Sequence, residues 1–252
     1  MHKIIIIAFL LLLTWGCSSS LDTTNMNHEE RLAYAIKLYN QKDYDDAINE
    51  LQALILQYPG SSIIDDSQYY LALSRYKRGE YILAAFEFSK LIRNMSASEY
   101  LPQAQFMLAE CYYELSPNVN LDQTYSKKAI EEYQAFIDFF PLNEKVFEAE
   151  KKITELNNKL ARKEFEIAVI YEKLEYYSAS LKYYDNVMEI YHDTEYAPLA
   201  LYNKIFILEQ RKQNGKAIEE AAKFIDKYPA HKNFNEVKEF KDNLEKKLSA
   251  SK

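Results

Sequence analysis

From His28 to Leu248 the apolar positions recur every three or four residues, the spacing of one face of an α-helix. No alternating pattern of useful length marks a strand. The only glycines in this stretch are Gly60, Gly79 and Gly215. Its apolar stripes are broken at regular places. Pro59, Pro141 and Pro229 each follow an aromatic residue (Tyr58, Phe140, Tyr228) and predict helix ends. His192 takes the proline's place after Tyr191. Pro102 and Pro198 predict helix starts, because the first helical residue has no use for the N–H that proline lacks. Over 142–160, Val146, Ala149, Ile153, Leu156 and Leu160 run in phase into Phe165 and Ala168, which predicts one long helix or two nearly coaxial ones. After Pro229, Phe234, Val237, Phe240, Leu244 and Leu248 form one last apolar stripe.

The stripes also repeat. Ala35, Ala72 and Ala109 are 37 residues apart, as are Tyr39, Tyr76 and Tyr113. The same step of 37 separates Tyr44 from Tyr81, Ala47 from Ala84, Leu51 from Phe88 and Leu54 from Leu91. A unit of two antiparallel helices explains the alanines: where the helices cross, only a small side chain lets the backbones approach. The period and the two fixed small positions resemble the tetratricopeptide repeat. The resemblance implies an all-α tetratricopeptide-repeat superhelix of five helix-turn-helix repeats, over 28–61, 65–98, 102–143, 161–194 and 198–231. A C-terminal capping helix over 232–249 would close the solenoid with a polar outer face. Repeat three carries an insertion, SPNVNLDQTY, between its helices.

The first 27 residues follow another pattern. Lys3 precedes an unbroken apolar run, Ile4 to Leu13, which gives way to Thr14-Trp15-Gly16-Cys17 and three serines. That run is half the roughly 20 residues needed to span a bilayer. A basic start, a short apolar core and small residues at the end make a secretory signal. The terminal cysteine resembles the bacterial lipoprotein signal, although Leu13 stands four residues before it rather than three. The resemblance implies cleavage after Gly16, lipidation of Cys17 and a periplasm-facing anchor in the outer membrane; Ser18, in place of Asp, favours that membrane. An ordinary signal peptide cut nearby, with Cys17 unmodified and the chain secreted, is the other reading. The organisation is then a signal over 1–16, a polar tether over 17–27 and the repeat domain over 28–252. Loss of Lys3 with the signal makes the mature chain one charge more acidic than the −7 of the whole. It lacks the basic footprint of a nucleic-acid-binding protein. With Cys17 acylated, Cys111 has no partner for a disulfide, so apolar packing must hold the fold.

Candidate chemistry is sparse. No P-loop, nucleophile-elbow or H-E-x-x-H motif appears. His2, His28, His192 and His231 are scattered, whereas metal ligation needs a cluster. No enzyme activity, metal or cofactor is expected. Cys111, in AECYYEL, reads as a buried thiol. The aromatics carry more. Tyr39, Tyr76 and Tyr113 share the same late position of three A helices, the first helix of each repeat, which in this architecture line the concave face. With Tyr69 and Phe106 they either pack between repeats or line a groove for an extended or helical peptide. Arg75, beside Tyr76, is a candidate to hold a peptide carboxylate.

Two stretches narrow the class: the D-Q-T insertion before KAIEE in repeat three, and LARKEFEIAVIY at 160–171. With the lipoprotein signal they resemble the BamD family, tetratricopeptide lipoproteins of the outer-membrane β-barrel assembly (Bam) machinery. The resemblance runs over residues 17–232. His192, for the proline of Y-P-D-T, and Ser180, for the small alanine of repeat four, depart from its pattern. It implies a non-catalytic scaffold of the Bam complex that binds the periplasmic domains of a BamA-like β-barrel insertase and unfolded outer-membrane proteins, with other Bam lipoproteins beside it. By the same analogy repeats one to three receive the client and repeats four and five hold the insertase. A tetratricopeptide lipoprotein serving pilus or cell-wall assembly is the alternative; it would share the signal and the period but lack the D-Q-T insertion.

Overall fold

The computed structural model describes residues 25–250. The signal over 1–16, Cys17 and the tether as far as residue 24 lie outside the described residues. Within them the secondary structure is eleven α-helices: α1 (His28–Asn40), α2 (Tyr44–Gln57), α3 (Ile64–Lys77), α4 (Tyr81–Asn94), α5 (Leu101–Glu114), α6 (Thr124–Phe139), α7 (Val146–Lys173), α8 (Tyr177–Ile190), α9 (Tyr196–Gln210), α10 (Asn214–Lys227) and α11 (Phe234–Ala250). Each helix packs on the next, and α1 also meets α3 while α7 meets α9. The chain is therefore a solenoid of helix pairs with α11 covering its end, the tetratricopeptide architecture.

Two side-chain sizes build it. Ala35 and Ala47, Ala72 and Ala84, Ala109 and Ala129, and Ala168 and Ser180 are fully buried at the crossings within pairs. One and two turns further along the second helix stand Leu51 and Leu54, Phe88 and Leu91, Tyr133 and Phe136, and Tyr184 and Val187, with Phe224 alone in the fifth pair, all with no exposed surface. They fill the space that the small residues leave between successive pairs. Burying one such large side chain contributes about 1.5–3 kcal/mol.

The helix ends follow local chemistry. At α1 a capping box closes the first turn: Asn27 Oδ1 accepts from the Glu30 N–H at 2.9 Å, and Glu30 Oε2 accepts from the Asn27 N–H at 3.0 Å. The residues capping the second helices, Tyr58, Phe140 and Tyr228, leave helical geometry at ψ 52°, 54° and 54°, as a residue before proline must. Tyr191 does the same at ψ 38° with His192 behind it, so the aromatic cap does not need the proline. Pro102 is the second residue of α5 and Pro198 the third of α9, not the first as the sequence suggests. Either place lies in the first turn, where the N–H has no intrahelical acceptor. The short turn inside four pairs requires one left-handed residue: Lys42 (φ 68°), Gly79 (φ 77°), Glu175 (φ 62°) and Lys212 (φ 58°). Only one of the four is glycine, although a side chain is strained there.

α7 is a single helix of 28 residues, about 42 Å long. Ala149 and Leu156 on its first half belong to the core that holds α5 and α6. Ala168, near its far end, belongs to the core of α8 and α9. One rigid rod thus carries two packing units: α1–α6 on its first half, α8–α11 on its second.

Candidate functional site

Tyr39, Tyr76 and Tyr113 all occupy the last position but one of α1, α3 and α5. Each makes a ring contact with the next element. Tyr39 meets Tyr44 at 5.8 Å and Tyr70 at 5.5 Å, and Tyr76 meets Tyr81 at 5.3 Å. Tyr113 lies beneath Lys152 Nζ, 3.5 Å from its ring centre, and its hydroxyl donates to Glu155 on α7 at 2.7 Å. All three rings are half-buried. Tyr69, also half-buried, stacks on Tyr100 at 4.3 Å with planes 13° apart. Burial pushes the phenols of Tyr69 and Tyr113 up to about 12, and those of Tyr39 and Tyr76 upward as well. These phenols therefore stay protonated across ordinary pH, with that of Tyr113 already donated to Glu155.

Two of the sequence candidates have other duties. Phe106 does not reach the surface: it is 2% exposed and packs edge-on against Tyr133 and Phe136 at 5.7 and 5.3 Å. Its helical phase points it at α6 rather than along the row of Tyr113, so it belongs to the core and not to a groove lining. Arg75 is already paired. Its Nη1 donates to Glu80 at 2.9 Å, and its Nε stands 3.9 Å from Glu87. An incoming carboxylate has to compete with both.

Repeat comparison reveals a device that periodicity searches for apolar residues pass over. Arg31, Gln68 and Gln105 are 37 residues apart. Each reaches from its first helix to a glutamate three residues past the small crossing residue of the second. Arg31 Nη2 donates to Glu50 at 2.7 Å, Gln68 Nε2 to the Glu87 carboxylate at 2.8 Å and Gln105 Nε2 to the Glu132 carboxylate at 2.7 Å. The two glutamines also donate to the backbone carbonyls of Glu87 and Glu132, both at 3.1 Å. These bonds lock each pair's second helix in register.

The insertion of repeat three is ordered by Gln123. Its buried amide donates to the carbonyls of Asn118, Val119 and Leu121, and its oxygen accepts from Ser126 at 2.7 Å. Lys159 and Lys163 of α7 hold the loop from outside, donating to Ser116 Oγ and the Leu121 carbonyl. Asp122 Oδ1 accepts from the Thr124 N–H at 2.9 Å and tightens the turn that enters α6. Asp122 and Gln123 thus both shape the link between α5 and α6 where it meets the middle of α7.

Cys111 is fully buried, and burial pushes its thiol upward, away from the reactive thiolate. Among the described residues no three His, Cys, Asp or Glu side chains gather as metal ligands would. No described helix is long and apolar enough to cross a membrane.

Stacked helix pairs, small crossing residues and locked registers define a helical solenoid of the tetratricopeptide class. The chain matches the YfiO family, described as an outer membrane lipoprotein, over residues 25–214, and it belongs to that family. It is 26% identical over 192 residues to the outer membrane protein assembly factor BamD of Rickettsia prowazekii, covering 75% of this chain and 76% of that protein. It is 25% identical over 211 residues to the outer membrane protein assembly factor BamD of Caulobacter vibrioides, covering 79% of this chain and 69% of that one.

Proposed function

We propose that this chain is a lipid-anchored scaffold for the assembly of outer-membrane β-barrel proteins, acting without catalysis. The observation that carries the reading is family membership across 25–214, a span that takes in the first nine helices and the joint they share. Cleavage after Gly16 exposes Cys17 for lipidation. The anchor then confines the repeats near the membrane, which raises the effective concentration of any partner held there without a new contact.

Binding divides along the rod of α7. The half-buried tyrosines of α1, α3 and α5 offer aromatic faces and O–H donors to the end of an unfolded client strand. Arg75 supplies the cation for its terminal carboxylate when Glu80 is displaced. The second unit, α7 to α11, holds the periplasmic domains of a BamA-like insertase. Other Bam lipoproteins would share the remaining surface.

A mild-detergent pull-down of the full-length tagged protein from its own membranes, read by mass spectrometry, tests the assignment. Recovery of a β-barrel protein with repeated periplasmic domains, in stoichiometric amount, is the expected result. Recovery of pilus or cell-wall factors alone would refute it. The groove has its own test. Glu80→Gln removes the closer of the two carboxylates on Arg75 and leaves only Glu87 at 3.9 Å, so peptides with a free C-terminal carboxylate should bind more tightly to the variant while amidated ones should not. Equal affinity for both would remove Arg75 from the site.

A further inference from the structure

Successive helices are joined by short turns and pack side by side, so they run antiparallel. Every turn that ends an even-numbered helix therefore lies on the same edge of the solenoid as the first residue of α1. On that edge the turn between α6 and α7 is unlike the others. Phe139, Leu142 and Phe147 are 73%, 99% and 77% exposed. The residue after the turn's proline is Leu142 here, but Gly60 and Ala230 in two other turns, and Asp193 follows His192 in a third. The second residue of the next helix is Phe147 here, but Asp65 in α3 and Asn235 in α11. The ring that enters the core from this turn is Phe140, against Phe136 at 5.9 Å; Phe139 touches only the outer side of Phe140, at 6.5 Å, and stays 73% exposed.

The turn also projects. The α8–α9 turn meets the middle of α7, where the Glu195 N–H donates to Asn158 Oδ1 at 3.3 Å. The second unit is thus set back by about half the length of the rod, and the α6–α7 turn stands at the free end of the edge.

We infer that this turn is a second membrane contact, inserting Phe139, Leu142 and Phe147 into the interface of a zwitterionic phospholipid bilayer. The inference rests on the anchor at Cys17. Eleven residue steps separate Cys17 from His28, so the anchor holds the start of α1 within about 40 Å of the lipid. The tether joins the solenoid on the edge that carries α1's first residue, so that is the edge the anchor draws toward the bilayer. A short anchor at one end and apolar side chains further along the same edge fix the solenoid's tilt, as two weak membrane signals together do. The charge around the trio selects the lipid. Asp138, Glu144 and Glu148 are exposed beside it; Lys145 lies over the Phe106 ring at 4.2 Å and 3.8 Å from Glu148, and exposed Lys151 stands one turn past Phe147. Three carboxylates against two lysines give an anionic surface no net attraction and leave apolar insertion as the driving contact.

The chain's one tryptophan, Trp15, leaves with the signal, so Phe147→Trp creates a single reporter. Tyr176→Trp, at the opposite edge and replacing a residue 62% exposed, is the control. Each lipidated full-length variant is reconstituted into phosphatidylcholine vesicles whose acyl chains carry bromine, a quencher. The expected result is a blue shift and a roughly twofold loss of emission for Phe147→Trp, with none for Tyr176→Trp. Flotation of the vesicles checks the anchor independently. Protein that floats with position 147 unquenched, or with both positions quenched alike, overturns the second contact and leaves the anchor standing. Protein that fails to float overturns both.

Discussion

The two units on α7 share a core and differ at their surfaces. In α1, α3 and α5 the last position but one is tyrosine; in α7 and α9 it is Glu172 and Glu209. In the first unit the glutamate of the second helix is held by Arg31, Gln68 or Gln105. In repeat four Tyr183 stands where that glutamate would, and Asn186 Nδ2 reaches Glu164 only at 3.4 Å. Tyr184, in the core, instead sends its hydroxyl to Glu172 at 2.7 Å. In repeat five the glutamate returns as Glu220, bound by Lys204 at 3.1 Å and Lys223 at 3.0 Å. The small crossing residues and large fillers persist through both units. What changes is the chemistry at the first helices' ends, from neutral aromatic donors to carboxylates. Packing fixes the solenoid, and the positions packing leaves free carry the difference between one unit's surface and the other's.

The sharpest way to break the comparison is to cut the rod. Asn157→Pro, in the middle of α7, removes a backbone bond and clashes with the preceding turn, at about 3 kcal/mol or more. Calorimetry should then resolve two transitions in place of one; a single transition lowered as a whole would mean that the units fold as one body without a continuous helix.

The register locks come next. Gln105→Leu strands the Glu132 carboxylate, and should cost about 1–3 kcal/mol in denaturant unfolding. Asn186→Leu, at the long contact of repeat four, should cost less than about 0.5 kcal/mol. Equal losses would erase the distinction between tight and loose pairs.

Alkali should separate the units more gently. Burial holds Tyr69 and Tyr113 up to about 12, against about 10 in an unfolded chain. The folded state keeps protons that the unfolded state gives up. The resulting stability is complete below about pH 10 and is lost as pH rises to about 12. The first unit carries the tyrosine ladder, so its helices should melt first in this window, in step with the tyrosinate absorbance. Loss of the second unit first would contradict the burial order.

The smallest effect concerns what the two units have in common. Lys42→Gly and Glu175→Gly each relieve a left-handed side chain and should add about 1 kcal/mol, less the entropy glycine brings to the unfolded chain. The two gains should match, because the turns are the same; a gain in one unit alone would show that the turns differ.

The candidate site was less legible than the solenoid. Tyr39, Tyr76 and Tyr113 share a register position, and a period reveals that much. Phe106 sits one helical row away, and only α6 packed against that row shows it to be core. Arg75 reads as a free cation beside Tyr76 until α4 brings Glu80 and Glu87 to it. The Phe139, Leu142 and Phe147 cluster lies partly outside any helix, so no periodic search registers it.

The sequence by itself determined the helical class, the 37-residue period, the crossing alanines and the aromatic caps, because each depends on neighbours within a turn or a pair. Tertiary structure decided which aromatic rings face solvent, which charges are already paired, and that 28 residues of α7 form one rod joining two units. Helical phase tells which face of a helix is apolar. It does not tell what stands opposite that face, and burial and pairing depend on what stands opposite.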